Sequence, residues 1–277
     1  MSTHTSPRSS RGSGGRLGAE LLAELDRSHI RVLRFPADWP LVDQITGSRV
    51  SSQALVFRLG QKGLLRQIKR GAYAVRPRSG TLVLSALDLV GPVGPDLHLL
   101  TAGRALAMHG LSDQAFRSLV VLVPVAQRGW EWQGERVKYV VQPPHRIWGG
   151  REVRAARTPT IVARPERAIL DSLSHPAWGV SLGQVVRALT LSTRDPAFIE
   201  RLAEATVRYD NAAAARRLGF IVSRLASTSA AAPFRVLRGG SRAATPLVPG
   251  GPQGGPISAE WRIRENVPFA LLAETDT

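Results

Sequence analysis

The stretch RVSSQALVFRLGQKGLLRQIKRGAYAV, residues 49–75, decides how the rest of the chain reads. Ser51 and Ser52 are residue types that cap helix N-termini, and a helical pattern follows them as far as Lys62. Gly63 predicts the end of that helix, because glycine takes the left-handed C′ conformation without a Cβ penalty. Residues 64–68 read as a strand, Arg70-Gly71 as a tight turn and 72–75 as the returning strand. Helix, strand, basic turn and strand is the order of a winged helix-turn-helix reading unit, with Lys69 and Arg70 at the tip of the wing.

At about 100° per residue the helix sorts into two faces. Ser52, Leu55, Val56, Leu59 and Gly63 share one side, apolar enough to face a core, while Gln53, Ala54, Phe57, Arg58 and Gln61 share the other. The second set carries the chemistry of base recognition: Gln pairs with adenine, Arg with guanine, and Ala or Phe meets a thymine methyl. The residues assigned to double-stranded DNA are therefore Ser51, Ser52, Gln53, Phe57 and Arg58, with phosphate contacts from Lys62, Lys69 and Arg70. The alternative for the same residues is a solvated helix face beside a hairpin, with Phe57 packed elsewhere on the protein.

Charge is distributed in the same sense. Lys and Arg number 37 against 21 Asp and Glu, a formal net charge of +16. Residues 1–80 hold 14 of the bases and 5 of the acids, so more than half of the excess lies on less than a third of the chain. A phosphate backbone is the natural partner for such a bias. Only 3 of the 37 basic residues are Lys, however, and arginine richness of that kind also follows from the base composition of coding DNA.

Cysteine is absent, which excludes a disulfide framework, a thiolate metal site and a cysteine nucleophile, and fits a cytoplasmic location. The longest apolar run, 119–123 before Pro124, is far too short for a bilayer, and the N-terminus lacks an apolar signal core, so no membrane partner is expected. A hydrophobic content of 43% over 277 residues supports a sizeable core and two domains, or one with extensions.

Outward from the central stretch the chain reads as α+β: a winged helix-turn-helix, then a domain of small mixed sheet and helical bundle. Residues 1–15 read as a disordered tail, 16–80 as the winged domain, 81–226 as the α+β domain and 227–277 as a Gly/Pro-rich loop with a final strand. Residues 17–27 predict a helix with Leu21, Leu22 and Leu25 inward, and 29–35 a strand. Asp38 is placed to cap a short scaffold helix through Ile45 that Gly47 stops, and 77–80 mark the exit from the domain. Segment 82–90 reads equally as helix or strand. Thr101 is placed to cap a helix ending at His109. Strands follow at 118–123, 136–141, 152–156 and 160–163, and helices from Pro165 and over 181–191, 195–207 and 210–225. A last strand at 260–267 is expected to pair with 234–237 or with the middle sheet.

Several ordered landmarks then resemble the AbiEi-type antitoxins of bacterial type IV toxin–antitoxin (abortive infection) systems. They are RQIKRGAYAV (66–75), TAGRALAMHGL (101–111), RPERAILDSL (164–173), AARRLGFIVSRL (214–225) and SAEWRIRENV (258–267). Ala102, Gly103 and Arg104 depart from the family's Ser-Ala stretch, and the interval from Trp261 to Asn266 is longer than the family's. The resemblance implies a winged helix that binds inverted repeats in the promoter of its own operon and represses it. It also implies a second domain that counters a nucleotidyltransferase-like toxin without a stable complex.

No enzyme chemistry is expected, and no cofactor. Arg167 and Asp171 have the i,i+4 spacing of an ion pair, whereas Glu166 and Asp171 lie too far apart around a helix to act as a carboxylate pair. The six histidines are isolated from further ligands, so no metal site is expected. Neither a GxSxG elbow nor a P-loop is present. Gly60, Gln67 and Arg136 stand two residues before the three lysines, where a nuclease would carry an acid. Arg216, Arg217 and Arg224 read as a second basic patch or a solvated helix face, and Trp130 with Trp132 as a docking surface or turn packing. The expected function is a DNA-binding repressor and antitoxin acting on paired half-sites. The alternatives are a module that binds the toxin directly and a stand-alone winged-helix regulator.

Overall fold

Two helix stops and one hairpin shape the first part of the computed structural model, which describes residues 11–76, 84–155 and 158–274. The chain divides into two compact units, Met1–Gly94 with Trp130–Gln133, and Pro95–Gly129 with Gly134–Thr277. In the first unit the order is α1 (Arg11–Arg27), β1 (Val32–Arg34), α2 (Trp39–Thr46), α3 (Arg49–Gln61), β2 (Leu65–Lys69), β3 (Ala72–Val75) and α4 (Ala86–Val93). The sheet runs β1-β3-β2 with both pairings antiparallel. Leu21, Leu22 and Leu25 of α1, Leu33, Val42, and Leu55, Val56 and Leu59 of α3 form its core with Leu65 and Val75. Each such side chain contributes about 1.5–3 kcal/mol of burial.

Three expectations are corrected here, and a fourth reading, open in the sequence, is settled. Helix α1 begins at Arg11, inside the segment read as tail. Further along it packs on α3: a Cβ on Gly18 would sit 3.3 Å from Leu59 Cδ2, so the two helices approach closely there. Second, the N-cap of α3 is Ser48, extended at φ −161° directly after Gly47 at φ +80°, and its hydroxyl accepts from Ser51 N–H. Ser51 and Ser52 lie inside the helix. Third, Asp38 does not cap α2 with its side chain; its carboxylate accepts from Arg34 N–H at 2.5 Å, closing the turn after β1. Fourth, α4 settles the ambiguous segment as helix, held by a capping box in which Ser85 and Asp88 exchange bonds. It belongs to the first unit, so the boundary lies beyond residue 80. The exit segment 77–80 lies outside the described residues.

The second unit begins with β4 (Leu99–Thr101), α5 (Ala102–Met108) and β5 (Ser118–Val123); β6 (Trp130–Trp132) is grouped with the first unit. Then come β7 (Glu135–Val141), β8 (Gly150–Ala155), β9 (Thr158–Ala163), α6 (Pro165–Ser174), α7 (Leu182–Ser192), α8 (Pro196–Tyr209) and α9 (Ala212–Leu225). The strands of this unit run β7-β5-β4-β9-β8, parallel at β7/β5 and β4/β9 and antiparallel elsewhere. Helices α5 and α6 pack together beside β4 and β9, and α7, α8 and α9 surround α6.

Beyond α9 lie α10 (Ala232–Arg235), β10 (Thr245–Pro246), β11 (Ile257–Ser258), β12 (Ile263–Arg264) and α11 (Phe269–Glu274). The expected final strand is only the two-residue β12, and it pairs with β10 and β11 rather than with 234–237 or the middle sheet. Residues 234–235 are helical, which removes them as a strand partner. The arrangement is α+β. Among the described residues no helix is long and apolar enough to cross a membrane.

Candidate nucleic-acid interface

Helix α3 is anchored from below before it offers anything outward. Asp43 of α2 accepts from Ser52 Oγ at 2.6 Å and from Arg49 Nε and Nη2 at 2.9 and 2.8 Å. The Arg49 bond first, and the Ser52 bond next, hold the Asp43 carboxyl below its ordinary value. Ser52 also meets Thr46 Oγ1 at 2.6 Å. Arg49 lies 5.0 Å over Trp39, which stacks on Phe35 at 3.8 Å. This lattice fixes the angle between α2 and α3.

The C-terminal end of α3 is equally determined. Gly63 N–H donates to Gly60 O and Leu64 N–H to Leu59 O, a Schellman closure with Gly63 at φ +66°. The chain leaves at once into β2. At the far end of the hairpin Gly71, at φ +78°, accepts from Phe35 N–H at 2.6 Å, and a Cβ there would stand 2.9 Å from Phe35 O. Only glycine fits so close to the loop before α2.

With those anchors, Ser52, Leu55, Val56 and Leu59 are buried, and Gln53, Ala54, Phe57, Arg58 and Gln61 are exposed. Phe57 is 68% exposed. A cleft of about 890 Å³ runs between this face and the hairpin. Gln53, Phe57 and Gln61 line one side, Gln67, Arg70 and Tyr73 the other, with Phe35 and Trp39 at its end.

Of the assigned residues, the structure thus brings Gln53, Phe57, Arg58 and Arg70 to an open surface on one unit. Lys62 is exposed at the C-cap of α3. Lys69 is half-buried beside a bulge in β2, and burial lowers its ammonium below its ordinary value. Ser51 is half-buried, and Ser48 Oγ donates to its hydroxyl at 2.9 Å. Ser52 is corrected outright: it is 0% exposed and tied to Asp43 and Thr46, so it positions the helix and touches no partner. Sequence reasoning missed Phe35, Trp39, Tyr73 and Gln67. The aromatic spacing from Phe35 to Trp39 flanking Pro36 was the available signal, but only the turn between β1 and α2 stacks the two rings.

Charged motifs in the second unit resolve as internal supports. Asp171 is 1% exposed and accepts from Thr101 Oγ1 at 2.6 Å, Arg167 Nε at 3.0 Å and Tyr209 Oη at 3.1 Å. The expected Arg167–Asp171 ion pair is present. Thr101 spends its hydroxyl on Asp171 rather than on capping α5. Glu166 pairs instead with Arg201 at 2.8 Å. Arg216 and Arg217 are buried, contrary to either surface reading. Arg216 donates to Arg238 O, Ser241 O and Ala243 O, and Arg217 to Pro246 O. Burial pulls the Arg217 guanidinium down to about 10. Trp130 and Trp132 are buried packing, with Trp132 Nε1 donating to Leu84 O at 2.6 Å and Arg66 lying 4.4 Å over its ring. Among the described residues no group of three or more His, Asp or Glu side chains is placed to hold a metal ion.

No family model and no curated protein sequence matches the chain. Its fold is similar to that in the crystal structure of the RV2827C protein from Mycobacterium tuberculosis, with a TM-score of 0.64 and 12% identity over 90% of each chain. At that identity the likeness is one of fold.

Proposed function

We propose that the first unit is a winged helix-turn-helix and that the chain is a DNA-binding repressor. In this reading α2 is the scaffold helix, α3 the recognition helix and the β2–β3 hairpin the wing. The observation that carries the proposal is the outward face of α3. Amide, guanidinium and aromatic groups stand there together, beside a hairpin whose tip carries an exposed Arg70. Thirteen residues of helix span about 20 Å, a length that lies within a major groove, while the hairpin tip reaches a flanking phosphate. Gln53 and Phe57, one turn apart, address neighbouring base pairs, and Arg58 a guanine.

The sequence landmarks extend the proposal to an AbiEi-type antitoxin that represses its own operon in the cytoplasm and counters a nucleotidyltransferase-like toxin. Some of those landmarks meet in the second unit. Gly219 of AARRLGFIVSRL packs on Trp261 of SAEWRIRENV. Asn266 of the latter bonds Val248 N–H at 3.0 Å through its carbonyl and Val248 O at 3.0 Å through its amide. Two copies on an inverted repeat would set paired half-sites.

The test is a fluorescence-anisotropy titration of the full chain with the duplex from directly upstream of its gene, against a scrambled duplex of equal composition. The upstream duplex is expected to bind at least about 10³-fold more tightly. Equal affinity for both would refute sequence-specific repression.

A further inference from the structure

In the second unit a separate cleft of about 470 Å³ lies between β8, the start of α6 and the outer face of α8. Trp148 forms its floor, and two guanidiniums lie over that one indole, Arg167 at 4.7 Å and Arg208 at 4.5 Å. Arg164 and Arg201 complete the wall. Like charges gathered around a single ring repel unless each is balanced, and the balance here is partial.

Arg167 is matched by Asp171, and Arg201 by Glu166 and Asp195. Arg164 and Arg208 have no carboxylate within ion-pair distance among the described residues. Glu204 lies on the same cleft four residues before Arg208, yet forms no ion pair with it. Arg167, whose side chain is 5% exposed, donates Nε to Asp171 and Nη1 to Arg146 O and Trp148 O. Its Nη2 holds no hydrogen bond among the described residues, so a buried cation keeps one donor edge unspent where it lines the cleft. Stacking on Trp148 fixes the head of Arg208 while leaving its in-plane N–H groups free. Fixed guanidinium edges without an ion-pair partner match the oxygens of a phosphate group.

We propose that this cleft is a binding site for a small ligand bearing a terminal phosphate or diphosphate, with Arg164 and Arg208 as its principal contacts and the unspent edge of Arg167 as a third. The site lies wholly in the second unit and is independent of the DNA-reading proposal. Its volume suits a ligand of diphosphate to mononucleotide size.

The experiment measures thermal unfolding and calorimetric titration of the full chain with inorganic pyrophosphate, against sodium chloride at matched ionic strength. A second arm uses a ten-residue oligothymidylate, which carries only phosphodiesters. Pyrophosphate is expected to raise Tm by several degrees at saturation and to bind with one site per chain. The double variant Arg164→Ala/Arg208→Ala, altered at two exposed positions, is expected to keep the parent Tm and lose the rise. An equal rise with chloride, or one that survives in the double variant, would overturn the site. A rise with the oligothymidylate and none with pyrophosphate would overturn the small-ligand assignment.

Discussion

Replacing Asp171 by Asn tests whether the second unit is built around one buried charge. Its oxygens receive Thr101 Oγ1 at 2.6 Å and Arg167 Nε at 3.0 Å on one side, and Tyr209 Oη at 3.1 Å on the other. Burial, followed by the Asp171 charge, raises the Tyr209 phenol above its ordinary value, so the phenol stays a neutral donor. Asparagine fits the same space. Its least costly orientation keeps the carbonyl toward Thr101 and Arg167 and turns the amide to Tyr209, whose hydroxyl can accept. Hydrogen bonding is therefore largely preserved and the lost counter-charge dominates. Arg167 is 4% exposed, and stranding a buried cation costs about 3–5 kcal/mol. Urea unfolding of the full chain, followed by tryptophan fluorescence, should show that loss in the transition of the second unit. The pair Arg167→Met/Asp171→Leu should recover much of it, because both charges leave together. A loss below about 1 kcal/mol for Asp171→Asn, the size of one ordinary hydrogen bond, would refute the reasoning.

Gly219→Ala should destabilise the second unit by about 1–3 kcal/mol in the same assay, since the new Cβ would collide with the buried Trp261 ring. His109 supplies a pH dependence. Burial chiefly lowers its imidazole below the ordinary 6.5, and Nε2–H donates to Ala163 O at 2.8 Å. A folded value below the unfolded one means the contribution is complete above 6.5 and is lost as pH falls from there toward the folded value. His109→Gln should flatten that decline in unfolding curves taken over the same pH range. On the proposed reading of α3, replacing the thymine that Phe57 would meet by uracil should weaken parent binding about fourfold, the worth of one methyl group. Phe57→Ala should be indifferent to the same change, as read by anisotropy.

The division of α3 into a buried and an outward face was legible because Leu55, Val56 and Leu59 repeat at helical spacing, and burial follows that repeat residue by residue. The cap was misread because Ser51 and Ser52 have the right side chains. Backbone conformation decides instead: Gly47 turns left-handed, and Ser48 is the first extended residue after it. The capping box of α4 was present as Ser85 and Asp88 three apart, a local signal strong enough to settle helix over strand. Arg216 and Arg217 were not legible. Their partners are carbonyls in residues 238–246, more than twenty positions away, and no local pattern tells a guanidinium facing water from one facing an irregular loop. The cleft over Trp148 escaped for the same reason, since its cations come from α6, α8 and the residue before α6.

The measurement closest to the central claim is the salt dependence of binding to the upstream duplex, for the parent and for Arg70→Ala at the exposed tip of the hairpin. If the hairpin tip meets a phosphate, log K falls linearly with log salt for the parent, and the variant falls less steeply by about 0.9 of a unit, one lost phosphate contact. Parallel lines for the two proteins, or no binding by the parent at about 50 mM salt, would contradict the account.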